Sequence, residues 1–248
     1  SDYKDPEIGN TTGSSMVTIS GTNTSVTDST FRYSAAGPAV SVSNATSTTL
    51  RNDSFVDNGG NGLGAFQSSG ITVERSSFTG NNSAGFVSAS CGAYCVVADT
   101  KIVRSTDVRY AYNTVDYSDA GVDYADPDVF ANERRAAVWF DEGVINSQVV
   151  GNYFVNNPVA VLDEVSKGDV IASNLIEGAG VGIHVAGSED TRIWNNTVSH
   201  ALTSVIIRED DRTDACQSRD SAKRCISYET WSKNHGLTWN VHGTELYN

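Results

Sequence analysis

The sequence predicts an all-β fold, a right-handed parallel β-helix of roughly seven to nine rungs with capping loops. Phe154, Ile176 and Val198 lie 22 residues apart, which suits one rung of a solenoid of strands. The apolar segments between turns are short, alternate with polar residues and are rich in Val, Ile, Thr and Phe, as strands are. Clusters of Asn and Gly separate the segments and mark turns, because both residues tolerate positive φ.

The rungs can be followed in order along the chain. Residues 1–15 are polar and have no period, so they are predicted to be a linker or an N-terminal remnant. The apolar pattern of residues 50–55 returns 23 residues later at 73–78. Later rungs share a second apolar cluster, found at 138–140, 161–163, 183–185 and 205–207. The helix is therefore predicted to span residues 16–210.

An asparagine stands two residues before the apolar anchor of four rungs, at Asn113, Asn152, Asn174 and Asn196. Side-chain amides that stack at equivalent turns can bond to one another and to the bent backbone. We expect a ladder with a structural role.

Composition limits the partners. The chain has 248 residues, 39% of them hydrophobic, and a formal charge of −13. That charge argues against nucleic acid and anionic membranes as partners. It argues less strongly against a polyanionic polysaccharide, which would need bound cations, and a neutral polysaccharide meets no such barrier. No apolar run approaches the length of a membrane span, so no membrane insertion is expected.

The four cysteines form two pairs that are close in sequence, Cys91 with Cys95 and Cys216 with Cys225. Each pair lies in a loop, and two local disulfides are predicted, which places the protein outside the cell or on its surface. A zinc site is disfavoured, because the pairs lie far apart along a rod and no His is close in sequence to either.

Two carboxylates are predicted to meet on the outer surface. Asp141 and Glu164 are 23 residues apart at equivalent positions of neighbouring rungs. Parallel strands are about 4.8 Å apart, so the carboxyl groups would lie roughly 5 Å from each other. Retaining glycoside hydrolysis uses such a pair, here with Asp141 as nucleophile and Glu164 as acid/base. The alternative is that both are solvated carboxylates on a polar outer sheet.

Strand alternation places three further side chains on the same face. Trp139 offers an aromatic surface for a sugar ring, whereas His184 and Arg208 offer hydrogen-bond donors for hydroxyls or for a charged group. We predict that these three residues bind substrate.

These rungs resemble a known group of proteins. The runs that carry the likeness are Ala-Val-Trp-Phe-Asp-Glu at 137–142, Val-Leu-Asp-Glu-Val-Ser at 161–166, Val-Gly-Ile-His at 181–184 and Ile-Trp-Asn-Asn-Thr at 193–197. They look like secreted right-handed parallel β-helix repeat proteins of the pectate-lyase-like superfamily, and they are similar to β-helical glycoside hydrolases such as the family 120 β-xylosidases. In those hydrolases an aromatic-x-Asp and a Glu on the next rung are nucleophile and acid/base, which match Asp141 and Glu164. The resemblance implies a xylan-type neutral substrate.

An insertion breaks the period between residues 116 and 135. Loops of a solenoid collect on one face, often the binding face, and Tyr124 is predicted to stack on a sugar there. The loop also holds four aspartates whose oxygens suit Ca²⁺, although a solvated acidic loop without a cofactor is expected: Asp119, Asp123, Asp126 and Asp128.

The remaining residues, 211–248, include the loop between Cys216 and Cys225 and a region with two tryptophans. A solenoid needs its last rung shielded, so this segment is predicted to be a C-terminal cap with a disulfide loop.

Three functions fit these features. The first is a secreted retaining glycoside hydrolase acting on a neutral polysaccharide or oligosaccharide. The second is a polysaccharide lyase or uronate epimerase in which His184 or Arg208 deprotonates or neutralises a uronic acid. The third is a non-catalytic β-helix that binds glycan or forms a surface structure. Fold alone does not separate them, because β-helices host all three.

Overall fold

The computed structural model of the protein describes residues 15–35, 37–83, 98–130, 135–210, 212 and 216–248. It confirms the predicted right-handed parallel β-helix. Residues 1–14 and the predicted Cys91–Cys95 disulfide lie outside the described residues.

The solenoid has three faces. The first face consists of β1 (Val17–Ile19), β4 (Val40–Ser43), β7 (Leu63–Phe66), β10 (Ala98–Val103), β13 (Ala136–Asp141), β15 (Tyr153–Glu164), β17 (Leu175–Ala186) and β19 (Thr197–Arg208). The second consists of β2 (Thr22–Thr27), β5 (Thr46–Arg51), β8 (Ser69–Glu74), β11 (Arg109–Ala111), β14 (Gln148–Val150), β16 (Val170–Ala172), β18 (Arg192–Trp194) and β22 (Glu245–Tyr247). The third consists of β3 (Thr30–Arg32), β6 (Ser54–Val56), β9 (Ser77–Thr79) and β12 (Thr114–Asp116), and continues into the first halves of β15, β17 and β19.

Every pairing within the solenoid is parallel, and it joins equivalent residues of successive rungs. In the later rungs Leu162 pairs with His184, and His184 pairs with Ile206. Because side chains alternate along a strand, a residue that faces outward has outward neighbours on the rungs before and after it. The stacking therefore produces columns of side chains along the axis.

The asparagine ladder is confirmed. The Nδ2 group of Asn152 donates to Oδ1 of Asn174 at 3.0 Å, and that of Asn174 donates to Oδ1 of Asn196 at 2.9 Å. Asn113 bonds to Asn152 in the same way, although 39 residues separate them. The Nδ2 groups of these four amides also donate to backbone carbonyls in the turns. The ladder therefore has the predicted structural role.

The interior continues the columns. Phe31, Phe55 and Phe78 stack on successive rungs with ring centroids 5.2 and 4.6 Å apart, and Tyr110 continues the stack at 5.9 Å. Offset stacking of rings at these separations is favourable beyond the burial of area. The core of the described residues is otherwise built mainly from Val, Ile, Leu and Ala.

Three short helices lie in the described part of the chain, outside the rungs. A 3-10 turn covers Ser118–Ala120 and helix α1 covers Pro127–Phe130, both in the insertion, and helix α2 covers Thr230–Asn234. None of the helices in the described ranges is long and apolar enough to cross a membrane.

The C-terminal segment leaves the solenoid and then returns to it. After β19 the chain forms an antiparallel hairpin of β20 (Cys216–Arg219) and β21 (Cys225–Tyr228), joined by the disulfide Cys216–Cys225. Helix α2 and buried Trp239 follow, and β22 then pairs with β18 in the second face. The segment thus closes one side of the solenoid and adds a strand to it.

Several buried carboxyl groups stand inside the solenoid. Burial raises the pKa of Asp99 to about 6. Burial also raises the pKa values of Asp163 and Asp169, which lie close enough to influence each other. A carboxyl in an apolar interior favours its neutral form, so these groups oppose folding when they must ionise.

These acids predict a pH dependence of stability. Because folding raises the pKa of these carboxyl groups, their protonated forms favour the folded state. Their contribution to stability is complete below the pKa of the unfolded chain, near 4, and is lost as the pH rises through the pKa of the folded state, near 6 for Asp99. We expect the urea concentration at the unfolding midpoint to decrease as the pH is raised from 5 to 8. An Asp99→Asn variant should show a smaller fall, and an equal fall in the variant and the parent would contradict this assignment.

Candidate functional site

The outer surface of the first face carries a cluster of charged side chains near the C-terminal ends of its strands. Its members are Lys101, Trp139, Asp141, Glu164, His184 and Arg208, joined by Arg212 from the segment after β19. We call this surface the charged face.

Strand register explains why these residues meet. Lys101 pairs with Trp139, which pairs with Leu162, which pairs with His184. Two residues further along lie Asp141 in β13 and Glu164 in β15, and Arg208 takes the same position in β19, two residues after the partner of His184. The register of β13 on β15 pairs Phe140 with Asp163, so the predicted neighbours Asp141 and Glu164 stand side by side.

Asp141 is a buried carboxylate held by a buried lysine. Its Oδ2 lies 2.8 Å from Lys101 Nζ, and only 7% and 10% of the lysine and aspartate side chains are exposed. The ammonium also lies 3.3 Å from the centre of the Trp139 ring, a cation–π contact. Oδ1 of Asp141 has no hydrogen-bond partner among the described residues. The Lys101 ammonium therefore offsets the free-energy cost of burying the negative charge of Asp141.

Glu164 is held by two donors. Trp139 Nε1 donates to Oε2 at 3.0 Å, and Arg212 Nη2 donates to Oε1 at 2.7 Å. Burial, followed by the charge of Asp141, raises the pKa of Glu164 to about 7, although Arg212 acts in the opposite direction. Near neutral pH this carboxyl group is therefore present in both protonation states, as a general acid requires.

His184 and Arg208 form the second half of the charged face. Arg208 Nε donates to His184 Nε2 at 2.9 Å, which places the imidazole proton on Nδ1. Burial, followed by the charge of Arg208, lowers the pKa of His184 to about 4, so the imidazole is neutral at physiological pH. Arg208 is exposed and makes no ion pair with the described residues.

The insertion does not extend this surface as predicted. Tyr124 is only 4% exposed, its ring contacts Tyr117, and its hydroxyl accepts a hydrogen bond from Arg135. Its burial leaves too little ring surface for the predicted stacking on a sugar. Asp123 pairs with His200 at 2.9 Å and accepts from the backbone of Ala125.

Two cations of the charged face were missed from sequence. Lys101 stands 38 residues before its neighbour Trp139, because the insertion hides the rung spacing. The 39-residue separation within the ladder, from Asn113 to Asn152, was the signal that could have restored the alignment. Arg212 lies outside the repeats, and no pattern in the sequence points to it.

Two family models match the chain. The model described as "Right handed beta helix region" matches residues 7–126, and "Periplasmic copper-binding protein (NosD)" matches residues 142–215. No curated protein matches the sequence.

Solved structures match the chain at low identity. The periplasmic alginate epimerase AlgG superposes with a TM-score of 0.52 at 12% identity, and the match covers 88% of this chain and 45% of that one. A PL6 alginate lyase complexed with trisaccharide gives a TM-score of 0.31 at 14% identity, covering 77% and 55% of the two chains. The Agl-KA catalytic domain gives 0.27 at 11%, covering 76% and 47%. The chain thus spans less than half the length of AlgG.

One family description names copper, which needs a suitable set of donor atoms. In the described residues one group could hold a metal, namely Glu189, Asp190 and His242. Copper prefers imidazole, thiolate or thioether donors, and this group offers one imidazole and two carboxylates. Lys167 Nζ also lies 3.2 Å from the same Glu189 oxygen that faces His242. This donor set does not fit copper.

The buried ion pair of the charged face predicts a large effect on stability. Lys101→Met would leave the Asp141 carboxylate buried without its counter-ion, at a cost of about 3–5 kcal/mol in unfolding free energy. Arg224→Met is the matched control, because Arg224 is 80% exposed in its pair with Asp220 and should cost at most about 1 kcal/mol. Urea unfolding would measure both, and similar small losses would contradict the prediction.

Proposed function

We propose that the protein is a carbohydrate-active enzyme that acts on a uronate-containing polysaccharide, as an epimerase or a lyase. The observation that carries the proposal is the contact between Arg208 and neutral His184 on the outer surface of the β-helix. Both reactions begin with removal of the C5 proton of a uronate, which needs a base and a cation beside the carboxylate.

Arg208 suits the second task. It is exposed, and it has no carboxylate partner among the described residues, whereas Lys101 and Arg212 are already paired with Asp141 and Glu164. A guanidinium binds a carboxylate through two parallel hydrogen bonds, and it stabilises the negative charge that moves into that carboxylate when C5 loses its proton.

His184 suits the task of base. Its Nε2 carries the lone pair, because that atom accepts from Arg208. The charge of Arg208 is one cause of its low pKa. A substrate carboxylate bound to Arg208 would offset that charge and draw the guanidinium away from Nε2. Substrate binding would therefore both free the base and strengthen it.

Glu164 suits the later step. The carboxyl group lies on the rung beside that of His184, and its pKa of about 7 keeps part of it protonated at neutral pH. In elimination the C4–O4 bond breaks, and Glu164 would give its proton to the departing oxygen. In epimerisation the C4–O4 bond stays intact, and Glu164 would instead give its proton to the opposite side of C5.

We also propose that the protein works outside the cytoplasm. The disulfide between Cys216 and Cys225 supports this, since such bonds persist in oxidising compartments. The family described as periplasmic and the periplasmic epimerase of similar fold agree with it. That epimerase acts on alginate by its description, so alginate is the first uronate polymer to test.

The test uses polymannuronate, polyguluronate and polygalacturonate. Lyase activity would appear as ultraviolet absorbance of the new C4–C5 double bond, and epimerisation as a changed uronate composition by NMR. We expect His184→Ala and Arg208→Ala each to lower the rate at least about 100-fold, the contribution of a general base. Arg109→Ala, on the second face, is the control. No turnover of any uronate polymer by the parent protein would overturn the proposal.

The second candidate is the retaining glycoside hydrolase with Asp141 as nucleophile and Glu164 as acid/base. Two observations support it. The Asp141 carboxylate is held by Lys101, and the neighbouring Glu164 has a pKa of about 7. It ranks second because the nucleophile Asp141 is only 10% exposed and is held by Lys101, which restricts its approach to an anomeric carbon. The sequence-based expectation of a resemblance to family 120 β-xylosidases would support this candidate, and the comparisons with known proteins do not confirm it.

A panel of aryl glycosides and xylan tests the second candidate. If it holds, Asp141→Asn and Glu164→Gln should both abolish hydrolysis, while His184→Ala keeps it. Hydrolysis that depends on His184 and not on Asp141 would contradict it.

A further inference from the structure

A cavity of about 380 Å³ lies between the solenoid and the C-terminal segment. The solenoid contributes Gln67 and Arg104, and the C-terminal segment contributes Tyr228, Trp231, Asn234 and His235. We call this cavity the Trp231 pocket. We propose that it binds a neutral sugar residue of a mixed polysaccharide that also carries the uronate reacting at His184. The inference rests on the proposed function and makes a polymer of uronates and neutral sugars, rather than a uronate homopolymer, the natural substrate.

The solenoid part of the pocket consists of turns that follow β7 and β10, two strands of the first face. Gln67 directly follows Phe66, and Arg104 directly follows Val103. Phe66 and Val103 face outward and pair with each other, and Val103 also pairs with Asp141. From the rung of Gln67 to the rung of His184 there are four strand spacings, a distance of about 19 Å along the axis. A glycan laid parallel to the axis would therefore reach both places, several sugar residues apart.

The walls of the pocket are aromatic and rigid. Trp231 stacks on His235 with ring centroids 4.0 Å apart, and its Nε1 donates to Gly143 of the solenoid at 2.9 Å. Tyr228 is 46% exposed, and Lys233 Nζ lies over one face of its ring, 3.9 Å from the ring centre. Aromatic rings with an open face suit the C–H face of a sugar ring, and rings fixed by the fold lose little entropy on binding.

The rim of the pocket is polar and available. The side-chain amides of Gln67 and Asn234 make no hydrogen bond with the described residues. Each amide offers both a donor and an acceptor, which is the combination that a sugar hydroxyl needs.

The charges of the pocket favour a neutral ring. Arg104 lies 2.6 Å from Glu142 and 3.2 Å from Glu229, so one cation faces two carboxylates. Glu229 is also fixed at the start of α2, where it accepts from backbone N–H groups. Among the described residues at this end of the pocket the two carboxylates outnumber the Arg104 cation, so a uronate carboxylate would be repelled there, while the Lys233 ammonium lies over the Tyr228 ring.

The experiment measures binding to the whole chain by titration calorimetry. The probes are the neutral tetrasaccharides of xylose, mannose and glucose, together with tetramannuronate. We expect at least one neutral probe to bind, and Trp231→Ala and Gln67→Ala each to weaken it at least about tenfold. Gln67→Ala guards against local unfolding in the tryptophan variant, because Gln67 lies on a turn of the solenoid. Trp194→Ala, whose ring stacks on Tyr247 beside the second face, is the control.

The outcomes separate the two proposals. Neutral binding that persists in His184→Ala but is lost in Gln67→Ala supports the pocket, whatever the turnover assay gives. The pocket assignment is overturned if no neutral probe binds, or if every variant binds the neutral probe as the parent does. Absence of uronate turnover alongside normal neutral binding would count against the proposed reaction alone.

Discussion

In-register stacking of parallel strands is the constraint on which the whole molecule depends. Each rung pairs with the next at equivalent residues, so side chains that share a column are held about one strand spacing apart. Because the backbone ladder sets that spacing, polar or charged groups in one column must interact. The asparagine ladder is the structural use of this rule, and the charged face is the functional one.

The same rule decides what the insertion and the C-terminal segment can do. The insertion adds residues between Asn113 and Asn152, yet these two still bond as the other ladder members do, so the extra chain is looped out without changing the register. Its aromatic residue Tyr124 is buried at the base of the loop. The C-terminal segment instead folds over the turns that follow Val103 and Asp141, where it supplies Arg212 to Glu164 and Trp231 to the solenoid.

Sequence periodicity predicted the features that depend on the regular spacing of the rungs. It located the fold, the asparagine ladder and the stacking of Asp141 beside Glu164, because β13, β15 and β17 follow one another at nearly constant spacing. It could not supply Lys101, because the insertion interrupts the count, or Arg212, which lies beyond the last rung. It also could not show that Asp141 and Glu164 are buried and paired with these two cations, because that depends partly on the C-terminal segment, which has no repeat. Periodicity also does not reveal the hydrogen bond between Arg208 and His184, because that contact depends on side-chain conformation.

Rung stacking places the neutral imidazole of His184 beside Arg208, a cation without an ion-pair partner among the described residues. An NMR titration of the His184 imidazole in the parent protein and in Arg208→Ala tests it most directly. We expect a pKa of about 4 in the parent, lowered from the usual 6.5. Removal of the guanidinium should raise that pKa, because its charge is one cause of the shift. A pKa near 6.5 that does not respond to the substitution would contradict the contact and the proposal built on it.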